Sequence, residues 1–509
     1  MTPPSRPPAQ VIIGLDVGTT ASKAVAFGLD SAWRHTSLQE YPLLEPRPGW
    51  QIQDPATILA AVASALTEAV AAAGGADVIG VAVSSAMHGL IGLDADMEPL
   101  TPLLTWADAR STDQARELRR SGQAAGLHQR TGVPVHPMTP LTKLIWFTQQ
   151  DPDTAVRTRW WVGLKDYLLW WLTGTLVTEL SSASGTGLLA MATRNWDPAA
   201  VELAGIGIDQ LPPILPTTAA LPLSGATAAR AGLPAGTPVI VGAGDGPLGN
   251  LGTGAVTTGV AGLSLGTSGA VRILVSKPQV DQAGSLFCYA LTDDSWVLGG
   301  AVSNGGMVVR WAGSSLTPDL IHTSPTGPDN AVLALAASVP AGSDGLVMLP
   351  YLLAERAPLW DPDLPGAYLG LRRHHTRAHL IRAAIEGVAR QLALIVDQLD
   401  QIEPVTSLRV TGGAFRSPLW GQVIAATLNR PLHAAADAQG SALGAAALGL
   451  FALGRSPGLA AAAAMLSGPD TALTQHTDPD PALVATYQRQ RHTTQDLLDQ
   501  LDGVRQLFI

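Results

Sequence analysis

The apolar positions of the chain fall into short runs separated by glycine turns. Val11, Ile12 and Ile13 form a β-branched run suited to a buried strand, residues 14–23 read GLDVGTTASK, and Val25, Ala26 and Phe27 resume the apolar run. This pattern predicts a strand, a tight turn and a second strand. Asp54 and Pro55 make an N-cap and first-turn pair, and Ile58, Leu59, Val62, Leu66, Ala69 and Val70 follow at helical spacing. Residues 78–85 (VIGVAVSS) then predict a strand, which gives an α/β order. Residues 237–244 (TPVIVGAG) predict another strand, running into DGPLGNLGTGAV. Residues 263–275 (LSLGTSGAVRILV) repeat the opening motif as apolar, polar, apolar, Gly, Thr, hydroxyl. A repeat about half the chain apart implies two similar domains rather than a solenoid. The expected division is a loose tail over residues 1–10, a first domain over 11–255 and a second over 256–509. In the second, Thr376 caps a long helix with an apolar stripe of Leu380, Ile381, Ala384, Ile385, Val388, Leu392 and Ile395. SLRVTG at 407–412 predicts a strand, and Ser417 and Pro418 open the next helix.

Composition narrows the class. At 509 residues, with 46% apolar and 14% charged residues, the chain has material for two cores and does not resemble a disordered segment. A net charge of −10 argues against unaided binding to nucleic acid or an anionic membrane and leaves a small molecule as the expected partner. Cys288 is the single cysteine, so there is no intramolecular disulfide framework and no thiolate metal cluster, which fits a reducing cytoplasm. The proline-rich N-terminus lacks a signal-peptide core. The longest apolar tracts, such as GSALGAAALGLFALG, are alanine-rich, broken by glycine and unlike a membrane span.

The opening turn carries a carboxylate (Asp16), Gly18, hydroxyls (Thr19, Thr20, Ser22) and Lys23. Backbone N–H groups, hydroxyls and a lysine complement phosphate oxygens, and a carboxylate can hold Mg2+; an ordinary polar hairpin fits the stretch equally well. GDGPLG at 244–249 matches a dinucleotide fingerprint literally, but no Asp or Glu follows from Gly246 to Val280 to hold a ribose. Asp245 follows a predicted strand, and Pro247 suits the first position of a helix. The helix N-terminus should favour the ionised carboxylate, either as a cap or as a base toward a hydroxyl nucleophile. Trp106, Asp108 and Arg110 are spaced by two and share a face if extended, as a polyol-acid site or as a salt-bridged strand face. His88 in SSAMHGL reads as a structural histidine or a ligand, and the tryptophans of residues 141–174 as packing.

Taken together, the paired hairpins, GAGDGPLGNLG and TGGAFRSPLW resemble the FGGY carbohydrate kinases of the actin, Hsp70 and sugar-kinase superfamily. The resemblance runs from Ile13 to about Leu450. SSAMHGL, LTWADAR, GDGPLGNLG and ERAPLWDP look most like gluconokinases, while xylulokinases usually carry Gln where Gly246 stands. The resemblance implies two ribonuclease-H-like domains facing a central cleft, with sugar held mainly by the first and ATP mainly by the second. It implies Asp245 as general base and Asp16 at the Mg2+ and phosphate site, with Gly18, Thr19, Thr20 and Lys23 around the transferred group. Gly266, Thr267 and Ser268 form the second phosphate hairpin. Gly412, Gly413, Arg416 and Ser417 border the adenosine pocket, and Gly305 lies near the nucleotide. Met87, His88, Trp106, Asp108 and Arg110 face the sugar, with Arg110 as the expected partner of a sugar-acid carboxylate. The implied reaction is transfer from ATP to a terminal hydroxyl of a sugar acid such as gluconate. Ketose phosphorylation is the near alternative, and an actin-like or chaperone-like ATPase the distant one. Oligomeric state is left open, a homodimer included.

Overall fold

The computed structural model describes residues 8–321, 328–434, 440–467 and 475–501. Its first sheet contains β1 (Gln10–Val17), β2 (Ala21–Gly28), β3 (Arg34–Glu40), β4 (Asp77–Ser85) and β5 (Pro238–Gly244), in the order β5-β4-β1-β2-β3, with Ala220–Pro222 on the edge beside β5. Helix α1 (Pro55–Ala72) lies between β3 and β4 in the chain, and α2 (Asp245–Gly252) continues directly from β5. The second sheet contains β6 (Val260–Leu265), β7 (Gly269–Val275), β8 (Phe287–Thr292) and β9 (Ser295–Val302). It is followed by α3 (Gly306–Leu316), α4 (Arg377–Asp400), β10 (Ser407–Thr411), α5 (Pro418–Leu428), β11 (Leu432–Ala434), α6 (Gly440–Ala452) and α7 (Pro481–Leu501). The strand order is β8-β9-β7-β6-β10-β11, closed by Gln475–Thr477.

The sequence repeat is a repeat of plan. β1 pairs antiparallel with β2 and parallel with β4; β6 pairs antiparallel with β7 and parallel with β10. In each sheet the central strand is followed by a glycine hairpin on one side and by parallel strands on the other. β1 is buried along most of its length because α1 and α6 cover opposite faces, so its residues read as a continuous apolar run rather than an alternating one. The two halves form the two-domain α/β architecture expected from the paired hairpins.

Local signals place the helices. Asp54 caps α1 by accepting from the Thr57 N–H at 3.0 Å. By length and composition α1 could cross a membrane, against the reading of the apolar tracts; in the structure Ile58, Val62, Leu66 and Ala69 are buried among the strands of the first sheet. The tail is shorter than expected: the Ala9 carbonyl accepts from the Asp77 N–H, Gln10 opens β1, and residues 1–7 lie outside the described residues. The region after Gly454 divides: Leu459–Ser467 packs on α6 and accepts from Arg34 of β3 in the first half, and the rest packs on the second half. There α7 lies on α5, and Tyr487 donates to Glu386 of α4 at 3.0 Å. The described part of the terminal amphipathic stretch ends at Leu501.

Among the described residues no strand pairs between the two sheets, but α6 crosses from the second half to the first. Its small residues allow backbone approach. A Cβ on Gly14 of β1 would stand 2.0 Å from the Ala442 carbonyl oxygen, and one on Gly444 would stand 1.9 Å from the Leu248 carbonyl oxygen of α2. The alanine-rich tract is therefore the wedge that holds α2 against β1.

Either Gly14→Ala or Gly444→Ala should lower stability by at least about 2 kcal/mol, because backbone has to move to admit the methyl group. Urea unfolding midpoints of each variant measure the effect.

Candidate active site

The carboxyl ends of β1, β4 and β5 meet at one place, and the site is built there. Asp16 stands near the end of β1, opposite Lys23 of β2, and the Ser84 hydroxyl of β4 donates to it at 2.8 Å. Burial raises the Asp16 pKa, against the pull of Lys23, Ser84 and Lys165. Asp245 is the first residue of α2 with Gly244 as N-cap, so the helix begins two residues earlier than Pro247 suggests. Burial and the Asp16 charge push the Asp245 carboxyl up to about 6, while Arg272, the Gly246 N–H and Lys165 pull it down. The helix N-terminus thus does not set its pKa alone; desolvation and a like charge outweigh it. Beneath both, Lys165 pairs with Glu179 at 3.2 Å and donates to the carbonyls of Val83 and Ala243, pinning the ends of β4 and β5.

Asp245 opens into a cavity of about 280 Å³ lined from both halves of the chain. Thr19, Met87, His88 and Trp106 contribute from the first half, and Ser264, Ser268, Ala270, Phe287 and Tyr289 from the second. Trp106 donates its ring N–H to the Thr19 hydroxyl at 2.9 Å, so the hairpin and the cavity wall that carries Trp106 are tied together. His88 has φ 66 and donates from Nδ1 to the Gly185 carbonyl at 2.8 Å. Burial drives its pKa down to about 3, so the ring is neutral and Nε2 remains an acceptor, 3.5 Å from the Tyr289 hydroxyl. Lys143, which sequence reasoning missed, donates to the carbonyls of His88, Thr105 and Met138 at 2.7–2.8 Å. Its pKa is pulled down to about 7 by burial, against the attraction of Asp108. This one ammonium holds three cavity-lining segments in place.

The segment after Thr105 departs from expectation. Residues 106–110 form a turn and not an extended strand, with the Asp108 N–H bonded to the Thr105 carbonyl, so alternate residues do not share a face. Arg110 is bidentate to Asp108 at 2.8 and 2.9 Å and lies 3.8 Å over the Trp50 ring and 5.1 Å from that of Trp146. Neither Asp108 nor Arg110 lines the cavity, whereas Trp106 does. The cations that line it are Arg272 and Arg356. Both stood in quoted motifs, and the usable signal was a lone charge in the apolar strand around VRILV.

The nucleotide-side residues lie along the second sheet. The Gly266 N–H donates to the Ser268 carbonyl, and the N–H groups of Gly306 and Met307 at the start of α3 donate to the carbonyls of Gly266 and Thr267. Arg310 donates to the Thr267 hydroxyl at 2.7 Å. Gly305 caps α3 where a Cβ would meet the Ser268 backbone at 2.8–3.0 Å. In the first hairpin, Tyr41 donates to the Gly18 carbonyl and Gln53 to the Thr19 carbonyl, fixing the turn that contains Thr20. At the far end of β10, Gly412 has φ 108 and leads through Gly413 and Arg416 to Ser417, the N-cap of α5. Ser417 lines a small pocket with Val410, Phe415, Pro418 and Gly421, a candidate adenosine site.

Asp16 suits a hard cation held by one carboxylate together with a substrate's phosphates, the habit of Mg2+. No cluster of three or more His, Cys, Asp or Glu side chains able to hold a metal occurs among the described residues, so a thiolate or multi-histidine site is not supported there.

Two glycine hairpins opening on one cavity, with the Asp245 carboxylate in its lining and Asp16 on the strand before the first hairpin, define a two-domain α/β phosphotransferase. The chain belongs to the FGGY family of carbohydrate kinases: residues 11–252 match the family's N-terminal domain and residues 261–453 its C-terminal domain. It is 37% identical over 450 residues to a gluconokinase of Bacillus subtilis (strain 168), covering 87% of this chain and 88% of that one. The fold superposes with a TM-score of 0.91 on a gluconate kinase from Lactobacillus acidophilus, at 32% identity, over 98% of this chain and 100% of the other. A ligand-bound xylulose kinase from the same organism gives the same TM-score, identity and coverage. The protein is a sugar kinase, for which ATP is the family's phosphoryl donor.

Arg110→Ala strands the buried Asp108 carboxylate and should destabilise the protein by about 3 kcal/mol. The Asp108→Ala, Arg110→Ala double variant should recover part of that loss; denaturation midpoints of the four proteins in the cycle test it.

Proposed function

We propose that the enzyme transfers the γ-phosphoryl group of ATP to a terminal hydroxyl of a sugar acid, with D-gluconate as substrate and 6-phosphogluconate as product. The observation that carries the reading is Asp245, a half-buried carboxylate at the start of α2 that faces a cavity shared by both hairpins. Its similarity to gluconokinases supports the choice of acid.

In this reading the sugar chain lies between Trp106 and His88 on one wall and the second sheet on the other. His88 Nε2, held neutral, accepts from a sugar hydroxyl, and Lys143 keeps the His88 and Trp106 segments at their spacing. Asp245 accepts the proton of the attacking hydroxyl. A group with a pKa near 6 is ionised at neutral pH yet basic enough to take a proton as the oxygen becomes acidic in the transition state. Phosphoryl transfer has a loose transition state, so positioning and charge neutralisation supply most of the rate. Backbone N–H groups, Thr19, Thr20 and Lys23 in the first hairpin, and Thr267 and Ser268 in the second, would supply it. Asp16 would hold Mg2+, which supplies further neutralisation at the phosphate oxygens. Ser417 and the turn from Gly412 to Arg416 would border adenosine. The single buried Cys288 is consistent with a cytoplasmic setting.

A ketose kinase is the second reading, favoured by the equal structural likeness to a xylulose kinase. A panel of gluconate, other sugar acids, xylulose and neutral polyols in a coupled ADP-release assay separates the two. Gluconate should give the highest kcat/KM; a ketose in that place would reverse the choice.

Two measurements test the residues. Because the base must be ionised, kcat/KM should fall as pH drops through about 6, and Asp245→Asn should lose about 10²–10⁴-fold in kcat. Near wild-type turnover in that variant defeats the assignment. Asp16→Ala should abolish Mg2+-dependent transfer while the thermal midpoint stays level or rises, since a half-buried charge is removed; retained Mg2+-dependent activity would count against it.

A further inference from the structure

Arg272 stands in a slot made for it. Its cross-strand neighbours on both sides are glycines, Gly262 on β6 and Gly299 on β9. A Cβ on Gly299 would lie 3.0–3.1 Å from the Arg272 Cα and Cγ, so the arginine stem occupies the space where that side chain would be. A third glycine, Gly246 on α2, completes the slot: a Cβ there would meet the guanidinium Nε and Nη2 at 3.5 Å. The head of the side chain emerges into the cavity beside the first turn of α2.

The guanidinium at the end of this slot is attracted by the Asp245 carboxylate but makes no direct hydrogen bond to it. Its Nε is buried without a hydrogen bond, and Arg272 makes no hydrogen bond or ion pair among the described residues. A buried N–H donor left open is costly, and the rest of the fork faces the cavity, where an anion could complete it. Arg356, the other cavity cation, differs in this respect. Its Nε donates to the Ser303 hydroxyl at 3.1 Å and its Nη2 to the Val302 carbonyl at 3.0 Å, and it lies 4.7 Å over the Trp106 ring.

Position along the strand separates their roles. Val302 pairs with Gly269, the first residue after the second hairpin, so Arg356 is anchored level with the phosphate end of the cavity. Arg272 is three residues further along β7, roughly 10 Å from Gly269 at a strand rise of about 3.3 Å per residue. The Arg272 head therefore reaches the cavity beside Gly246 of α2, away from the Gly269 end where Arg356 is anchored.

We infer that Arg272 is the specificity-determining residue of this kinase, binding the carboxylate at the end of the sugar acid opposite the phosphorylated hydroxyl. This rests on the sugar-acid reading above. A planar fork matches a carboxylate bidentately, and a neutral CH2OH in its place leaves the guanidinium unpaired. Discrimination therefore comes both from the pair formed with an acid and from the unsatisfied cation left by a neutral polyol.

The test compares gluconate with glucitol, its counterpart carrying CH2OH in place of the carboxylate. In Arg272→Ala the ratio of kcat/KM for gluconate to that for glucitol should fall by at least about tenfold, the worth of one charge-assisted pair, chiefly through KM for gluconate. Arg272→Lys, which keeps the charge without the fork, should lie between. Gly246→Gln, which fills the slot from the opposite side, should lower the same ratio and provides an independent route if Arg272→Ala does not fold. Arg356→Ala should reduce both substrates alike. Where turnover of glucitol is too slow, calorimetric binding of the two compounds gives the same ratio. An unchanged ratio in Arg272→Ala, or equal losses for both compounds, overturns the assignment. Refusal of gluconate by the wild-type enzyme would instead overturn the sugar-acid reading itself, so the two failures are told apart by the unmutated protein.

Discussion

Two carboxylates that repel one another, Asp16 and Asp245, stand half-buried at the same end of the first sheet, and the surrounding structure is arranged to tolerate them. Each comes from the carboxyl end of a parallel strand or the helix that follows it, which is where open α/β sheets collect their sites. Lys23 faces Asp16 across the hairpin, Ser84 donates to it from the neighbouring strand, and Lys165 lies beneath both with Glu179 as its own counter-ion. The remaining imbalance appears as the raised pKa of Asp245. A carboxylate in water would be a weak base at neutral pH; the same group crowded by a fixed negative charge is a useful one. Holding the pair together is therefore both a burden on stability and a source of the chemistry.

Much of this was legible because its signals are local. A glycine turn between two apolar runs, repeated half a chain later with serine in place of aspartate, gave both hairpins and singled out Asp16. Asp54–Pro55 and Ser417–Pro418 marked helix starts from their own chemistry. What was not legible depends on residues distant in the chain. Arg110 could be matched to a substrate on paper because nothing nearby revealed Trp50 and Trp146 closing over it, or that the chain turns at Asp108. Arg272 sat in view inside an apolar strand, but its lack of a hydrogen-bond partner becomes evident only once β6, β9 and α2 each present a glycine to it. Lys143 gave no signal at all, since its three partners are backbone carbonyls and carry no side-chain signature.

The same division explains the two walls of the cavity. The cavity is not a property of the first half alone, because residues of β7, β8 and β9 in the second sheet also line it. Both halves contact the volume between them. Their relative position is fixed in part by direct bonds, such as the Cys288 N–H to the Gly132 carbonyl and the paired Arg116 and Asp363 side chains.

The crossing of α6 has a consequence for how the molecule comes into being. The first sheet emerges from the ribosome complete in its strands by Gly244, but the helix that covers one face of β1 and clamps α2 is not finished until Ala452. For about two hundred intervening residues the nascent first half carries an uncovered apolar face, the kind of surface on which chaperones act. Its two carboxylates lack their final spacing through that interval. The site can therefore take its final form only after α6 has been made and has closed back on β1, which couples the appearance of activity to synthesis of the second half.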